Sequence, residues 1–431
     1  MVANANANVA PKLSSSDALM WRIETDPVLR SPVVVVGWLD EVPDHDGVMA
    51  NFARAVGLIP RLRQRIVSGF AGAMHWEDDP DFSLDHHVHF RHTRPNGRLR
   101  DVLDIAEADA TTAFDMARPP WSCTVLAGLH EKHAAFVFKF HHSMTDGVGG
   151  VEWASLLFDH DDTDAVAAAV PAKPPVAAAH RVGNPVHQVA DLISSVGRML
   201  APVATPLSPV LTGRSLDRRM ETIDVPLSAL RRAAAALDVT LNEAFLAGVA
   251  GGLRAYHVQL GAPVPALRFT MPISLREEGD ASGGNRFAPA RFVMPIDDPD
   301  VHARAQIARG IVRQERGEPA LKLTDIIAAL LARLPTPMVT RVFGDMLRNI
   351  DVDVVDVPGL TKPAYLGGAS VSAMYAFAPP TGAALSITLL SHLDTCCVAV
   401  LCDTKPVSDP ALLRKCLADA FDEVVACGAP A

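Results

Sequence analysis

The sequence predicts an α/β protein made of two halves that each mix helix and strand, joined by a linker. Three observations carry this. The chain has 431 residues, more than one hydrophobic core usually organises. Both halves interleave short β-type runs with helical periodicity instead of separating them. The composition also changes between the halves: DDTDAVAAAVPAKPPVAAAHRVGNP, starting at 161, is rich in Ala, Pro and Val and has no period, as linkers do. The expected divisions are 1–160, 161–212 and 213–431.

The elements follow in order. SSSDALMWRIE at 14–24 offers Ser16 or Asp17 as the N-cap of a short helix. VVVVGWL at 33–39 has the length of a strand, and 44–58 is helical, leading into the basic run IPRLRQRIV. LDHHVHF at 84–90 alternates like a strand, which makes His86, His87 and His89 surface or packing residues. A helix is expected near 98–113, then the strand SCTVLAGL, the turn HEKH and the strand AAFVFKFHH. In the linker, Val186, Val189, Leu192, Ile193, Val196, Leu200 and Val203 recur at helical spacing, giving an amphipathic helix. Beyond 213, two helices are separated at Asp238–Thr240, with Thr240 capping the second. The strand RFTMPISL, the loop GDASGGN and the strand RFAPARFVMPI come next, then a helix over 300–317. Strands dominate from Ser370 to Asp403, and a helix over 408–426 closes the chain.

Composition narrows the function classes. A net charge of −10 argues against nucleic acid as a partner, which would need a clustered basic surface. No apolar run approaches the ~20 residues that cross a bilayer. MVANANANVAPK has neither the basic start nor the long apolar stretch of a secretory signal, so a cytoplasmic protein is expected. The six cysteines, Cys123, Cys396, Cys397, Cys402, Cys416 and Cys427, form no CxxC pair and read as small buried hydrophobes.

The chemistry concentrates in HHSMTDG at 141–147, at the end of an apolar strand and ahead of VGG. On a strand His141 and His142 face opposite ways, because the side-chain period is two. Three readings compete. Chelation of a metal by His, His and Asp is disfavoured, since neighbouring histidines diverge and no further ligand cluster accompanies them. Two hydrogen-bonded histidines at a strand end are the plain structural reading. In the third, one imidazole is a general base, suited by an ordinary pKa of about 6.5, while Asp146 shapes the turn.

HHSMTDG resembles the HHxxxDG signature of the CoA-dependent acyltransferase superfamily, which includes plant BAHD enzymes, peptide-synthetase condensation domains and bacterial wax ester synthase/diacylglycerol acyltransferases. The last group is resembled from end to end, in order. LSSSDALMWRIE resembles its opening helix, LDHHVHF its Asp-x-x-His-Val segment and FDMARPPWSCTVLAGL its PLW block. LNEAFLAGVAGGLRAY resembles the NDVVLA block, GGNRFAPARFVMPI the Gly-Asn-Arg segment and VVDVPGLTKPAYLGGASVSAMY the SNVPGP block. LSITLLSHLDTCCVAVLCDTKPVSDP resembles its closing strands. The chain departs from the pattern at Pro120, Ser122, Glu243, Asp356 and Leu360, which bears on the acceptor pocket and not on the histidine pair.

The resemblance implies two similar mixed-sheet α/β subdomains of the CoA-dependent acyltransferase type with a tunnel between them, His142 midway along it as general base and His141 beside it. Asp146 and Gly147 would set the loop, Gly147 through a backbone geometry closed to other residues. Asn285 would be a polar group near the oxyanion. Asn242 is a substrate contact or a hydrogen bonder at a helix start, and Trp121 of the PLW block joins the substrate-binding set. The implied reaction moves a long-chain acyl group from acyl-CoA, a substrate and not a cofactor, to diacylglycerol, giving triacylglycerol. A wax ester, polyketide or glycolipid acceptor, or an acyl-CoA-binding protein without turnover, are the alternatives. No further cofactor or metal is implied. The linker helix either packs on the protein or, as the sharper expectation, rests on a membrane or lipid-droplet surface.

Overall fold

The computed structural model describes residues 12–69, 73–161, 201–275, 284–317 and 324–429. The expected linker helix and most of the GDASGGN loop therefore lie outside the described residues; 201–203, the end of the apolar stripe, carry no helix.

The first half begins with helix α1 (Ser15–Ile23), capped by Ser14, whose hydroxyl accepts from Asp17 N at 3.0 Å. This corrects the expected cap: Ser16 and Asp17 both lie inside the helix, Asp17 in its first turn. Strand β1 (Pro32–Leu39) and helix α2 (His45–Leu58) follow, the helix capped by Asp44. A short hairpin, β2 (Gln64–Ser68) and β3 (Met74–Asp78), disposes of the basic run. Arg61 lies over the Trp76 ring, while Arg63 and Arg65 pair with Asp78 and Glu77. LDHHVHF is not one strand: a 3-10 turn at Leu84–His86 precedes β4 (Val88–Gly97), and the break leaves His87 buried with Nδ1 on the Trp121 carbonyl at 2.8 Å. Helix α3 (Leu99–Thr111), β5 (Trp121–Leu129), β6 (Ala134–His141) and α4 (Gly147–Leu157) complete the half.

The second half contains β7 (Arg218–Pro226), α5 (Leu227–Ala236) and α6 (Leu241–Gln259). Helix α6 starts at a full capping box: Thr240 Oγ1 accepts from Glu243 N, and Glu243 Oε2 accepts from Thr240 N at 2.7 Å. Glutamate at 243 thus has a local cause. Strands β8 (Ala266–Ser274) and β9 (Phe287–Pro295) form a hairpin-like pair, followed by α7 (Val301–Arg316). Two helices that the sequence reading passed over, α8 (Thr324–Leu331) and α9 (Thr336–Leu347), pack against α1. The remainder is β10 (Val352–Val357), β11 (Tyr365–Leu366), β12 (Ala369–Phe377), β13 (Leu385–His392), β14 (Thr395–Asp403) and α10 (Pro410–Ala426).

Two six-stranded sheets result. The second has the order β7-β14-β13-β10-β8-β9, with β10 parallel to both neighbours, and it packs one face on α6, α7 and α10. The first has the order β11-β12-β1-β6-β5-β4. Its β11 and β12 come from residues beyond 213: Val36 pairs with Tyr375 and Gly37 with Met374. The segment that the division at 213 assigns to the second half is thus hydrogen-bonded into the first sheet. The adjacent cysteines of β14 behave as the strand period requires, Cys396 facing the helical core and Cys397 the layer between the halves.

Among the described residues no single helix is long and apolar enough to cross a membrane. Helices α5 and α6 are long and apolar enough only as a pair, across a 94° bend, and most of α6 is buried in the core.

Candidate active site

Strand β6 lies between β1 and β5, and its residues are buried on both faces of the sheet, which explains its apolar run. His141 occupies its last rung, opposite Pro32, and His142 is the first residue beyond. The chain then turns within four residues into α4, whose N-cap is Asp146.

The two imidazoles do different work. His141 is fully buried; its Nδ1 accepts from Ser143 N at 3.0 Å, which requires the proton on Nε2. That nitrogen lies 3.3 Å from Glu24 Oε2, off the line of a hydrogen bond. The ring meets Trp21 and Phe114 edge-on, with centroids 4.9 and 5.8 Å away. Every contact of His141 is therefore with packed protein.

His142 keeps some accessible surface although it sits deep in the molecule. Its Nδ1 lies 2.9 Å from Asn285 Oδ1, and the Phe287 ring stands 5.6 Å from its own. Asn285 Nδ2 donates to the His142 carbonyl and to Asp17 Oδ1, both at 2.7 Å. A carbonyl and a carboxylate at those positions are acceptors, so the NH2 must face them and the amide oxygen must face the ring. Nδ1 then carries the proton. Nε2 is left with its lone pair and has no protein hydrogen bond among the described residues. Burial is the main cause that lowers the His142 pKa below the ordinary histidine value; the nearby Asp146 charge opposes it. The imidazole is therefore neutral at pH 7, with one nitrogen open to accept a proton.

Asp146 ties the turn together: Oδ1 accepts from Gly149 N and Oδ2 from Arg286 N, each at 3.0 Å. Gly147 is required for space and not for an unusual backbone angle, because its φ is not positive. A Cβ there would meet Val357 Cγ2 at 2.7 Å. The left-handed glycine is Gly284, at φ 76°, which bridges Thr145 and presents Asn285.

Four of the residues singled out from sequence thus converge on one turn: His142, Asp146, Gly147 and Asn285. His141 adjoins them on the opposite side of the strand. The place of Asn285 differs from expectation, since both amide hydrogens are already bonded and neither is left for an oxyanion. Two other residues stand apart. Asn242 directs its amide at Met271 sulfur, 3.8 Å away. Trp121 is buried, its indole N–H on the Leu62 carbonyl at 2.7 Å and its faces stacked on Phe52 and His87. It is a packing residue of the first core. The sequence reading missed Asp17, Glu24 and Phe287; only Asp17, an acid in a helix first turn already capped by a serine, left a signal.

Two mixed sheets, the first completed by strands that cross over from the second half, with an open-nitrogen histidine on the turn between them, define a protein of the CoA-dependent acyltransferase fold. Solved structures agree. A wax ester synthase/diacylglycerol acyltransferase from Marinobacter aquaeolei VT8 superposes with a TM-score of 0.65 at 20% identity, covering 97% of this chain and 98% of the other. The first condensation domain of the calcium-dependent antibiotic synthetase gives 0.66 at 16% identity, covering 97% of each. Family models match as well: the wax ester synthase/diacylglycerol acyltransferase catalytic domain over 13–245, and the WS/DGAT C-terminal domain over 283–424. A putative diacylglycerol O-acyltransferase of Mycobacterium tuberculosis is 34% identical, covering 99% of this chain and 95% of its own. The O-acyltransferase WSD of Acinetobacter baylyi is 28% identical, covering 85% and 87%. The chain belongs to the wax ester synthase/diacylglycerol acyltransferase family, a family of acyltransferase enzymes.

Proposed function

We propose that this protein transfers a long-chain acyl group from acyl-CoA to the free hydroxyl of diacylglycerol, forming triacylglycerol. The observation that carries the reading is the single open nitrogen, Nε2 of a neutral His142 whose other nitrogen is held by Asn285. As the acceptor hydroxyl attacks the thioester carbonyl, Nε2 takes its proton. The tetrahedral intermediate then collapses with loss of the C–S bond, and the imidazolium returns the proton to the departing CoA thiolate. Thioesters are already activated, so positioning and general-base catalysis suffice, the latter contributing about 10²–10⁴-fold. The two substrates would reach His142 through a passage between the halves. Asp146 and Gly147 shape the turn, and acyl-CoA is consumed as a substrate.

Diacylglycerol is preferred as acceptor because the 34%-identical relative bears that activity in its name. The family model, named for wax ester synthases as well as diacylglycerol acyltransferases, supports a second reading, with a fatty alcohol in its place. A water-insoluble acceptor implies reversible contact with a membrane or lipid-droplet surface. Both the apolar stripe of 186–203 and the exposed Ile326, Leu330 and Met338 of α8 and α9 support such contact.

The test is CoA release and product analysis with palmitoyl-CoA against diacylglycerol, fatty alcohol and sterol. Triacylglycerol as the main product is expected. Wax ester alone would move the assignment to the second reading, and turnover by His142→Ala would overturn the mechanism.

A further inference from the structure

We propose that Asp17 is a positioning residue of the transfer reaction: it holds the Asn285 carboxamide in one orientation, which keeps the His142 proton on Nδ1 and leaves Nε2 as the base. The inference rests on His142 being the base, and it extends that reading to a residue in the opening helix.

Asp17 stands in the first turn of α1, where a carboxylate commonly turns back to the cap backbone in a capping box. Here it does not. Ser14 caps the helix alone, and the Asp17 side chain points across to the second half, almost completely buried at 3% exposure. Its Oδ1 accepts twice from the same residue, from Asn285 Nδ2 at 2.7 Å and from Asn285 N at 3.2 Å. A carboxylate removed from water needs compensation, and Asn285 supplies two donors. The approach also depends on Gly284, whose φ of 76° turns the Asn285 amide toward Asp17 and whose missing Cβ would stand 3.3 Å from Asp17 Oδ2. Arg61, from the segment after α2, is the charged group that faces Asp17.

The consequence is chemical. An asparagine side chain offers an oxygen or an NH2 to a neighbour with similar shape, and the two ends ask opposite things of an imidazole. With the oxygen on Nδ1, the tautomer has its lone pair on Nε2. With the NH2 there, Nδ1 must accept and the proton moves to Nε2, where a base can no longer act. The His142 carbonyl favours the productive orientation through one hydrogen bond at 2.7 Å, and Asp17 adds a charge-assisted one. Helix α1 is in turn held by α8 and α9 through Leu19, Ile23, Ala328 and Val339. The orientation of the base is thereby referred to a packed element outside the strand that carries it.

The experiment is a double-mutant cycle with kinetics over acyl-CoA concentrations from subsaturating to saturating. His142→Ala is the reference: if it turns over, the underlying reading fails and this inference with it. Given an inactive His142→Ala, Asp17→Ala is expected to lower kcat roughly tenfold, the fold-change of one lost hydrogen bond. KM for acyl-CoA should stay within about twofold, since no substrate contact is removed. Asp17→Asn, which keeps an acceptor oxygen, should restore most of kcat. Asn285→Ala and Asp17→Ala/Asn285→Ala should be equally slow, because Asp17 has nothing to orient once the amide is gone. Losses that multiply in the double variant, or an unchanged kcat in Asp17→Ala beside an inactive His142→Ala, would overturn the inference and leave the base assignment standing. Nitrogen-15 spectra of histidine-labelled protein read the tautomer directly. A His142 signal with protonated Nδ1 is expected in the wild type and in Asp17→Asn, and a mixed signal in Asp17→Ser. That variant also serves if Asp17→Ala does not accumulate folded, and an undisturbed tautomer in it would refute the role.

Discussion

Replacing Gly147 by alanine should damage both stability and turnover, and the damage should be repairable from the other half of the molecule. The added Cβ would lie 2.7 Å from Val357 Cγ2 and 3.4 Å from Val357 Cγ1. Apolar carbons rest near 3.5–4.0 Å, so the turn and β10 must separate by about 1 Å. Overpacking of this kind costs about 1–3 kcal/mol, or roughly 2–12 °C in melting temperature for units the size of each half. The displacement falls on the residue next to Asp146, whose oxygens hold Gly149 and Arg286, and five residues from His142. A misplacement of about 1 Å at a reacting group can cost 10²-fold in rate, so kcat should fall by about tenfold or more. Val357→Ala in the same chain removes both methyls the new Cβ would strike. Gly147→Ala/Val357→Ala should therefore be no less stable than Val357→Ala alone, within about 0.5 kcal/mol, and should recover most of kcat. Melting curves and CoA-release kinetics on the four proteins decide it. Additive losses would mean that Gly147 is needed for its backbone and not for the space beside Val357.

The histidines should separate cleanly. His142→Ala should lose at least about 10²-fold in kcat with an unchanged melting temperature. His141→Ala should retain more activity but lose about 1–3 kcal/mol, because it strips Ser143 N of its buried acceptor; equal kinetic loss with no change in melting would contradict this division. Asp146→Ala removes an N-cap worth about 0.5–2 kcal/mol together with the anchor of Arg286 N, so both melting temperature and kcat should drop. A purely kinetic defect would place Asp146 in the chemistry itself. Burial lowers the His142 pKa, so the acidic limb of kcat/KM should lie below about 6.5. The buried His87, His257 and His392 are shifted the same way. An unfolded chain takes up these protons first, so their stabilisation is complete above about pH 6.5 and is lost as the pH falls through and below it. A melting temperature flat from pH 7.5 to 5.5 would count against that sign.

The histidine turn was legible because its neighbours in space are neighbours in sequence. An apolar strand, two imidazoles, an Asx-type acid and a glycine are enough to place a buried strand end and a helix start, and Asp146 caps that helix. The extent of α2, α3 and α6 was legible for the same reason, through local caps and periodicity. What could not be read is whatever depends on contacts between separate elements of the chain. Asn285 suits an oxyanion contact in isolation, but its hydrogens go to Asp17 and His142, 268 and 143 positions away. Trp121 looks like a binding residue until Leu62, Phe52 and His87 surround it. The alternation of LDHHVHF describes equally well a strand or a turn followed by one, and Phe82 and Trp121 stacking on His87 decides between them. The region from Ser370 to Asp403 reads as dominated by strands, but nothing local says that β12 pairs with β1.

The same contacts explain why the base sits where it does. Four residues from His142 to Gly147 face the second half: His142 bonds to Asn285, Thr145 bridges to Gly284, Asp146 accepts from Arg286 N, and the backbone of Gly147 lies so close to Val357 that a Cβ would not fit. Met144 joins them through its carbonyl, which accepts from Gly284 N at 3.2 Å. Ser143 instead bonds back to His141. The turn is thus a seam. Neither half alone would hold the Nε2 lone pair in place, because the tautomer is set by a residue of the second half that is itself held by a carboxylate of the first. Strand β12 strengthens the coupling by carrying second-half chain into the sheet that ends in His141. An enzyme that admits two large substrates between its halves, as proposed above, gains from this arrangement. The halves can differ at their outer surfaces while the base keeps one orientation, because that orientation is fixed by the inner contacts through which they meet.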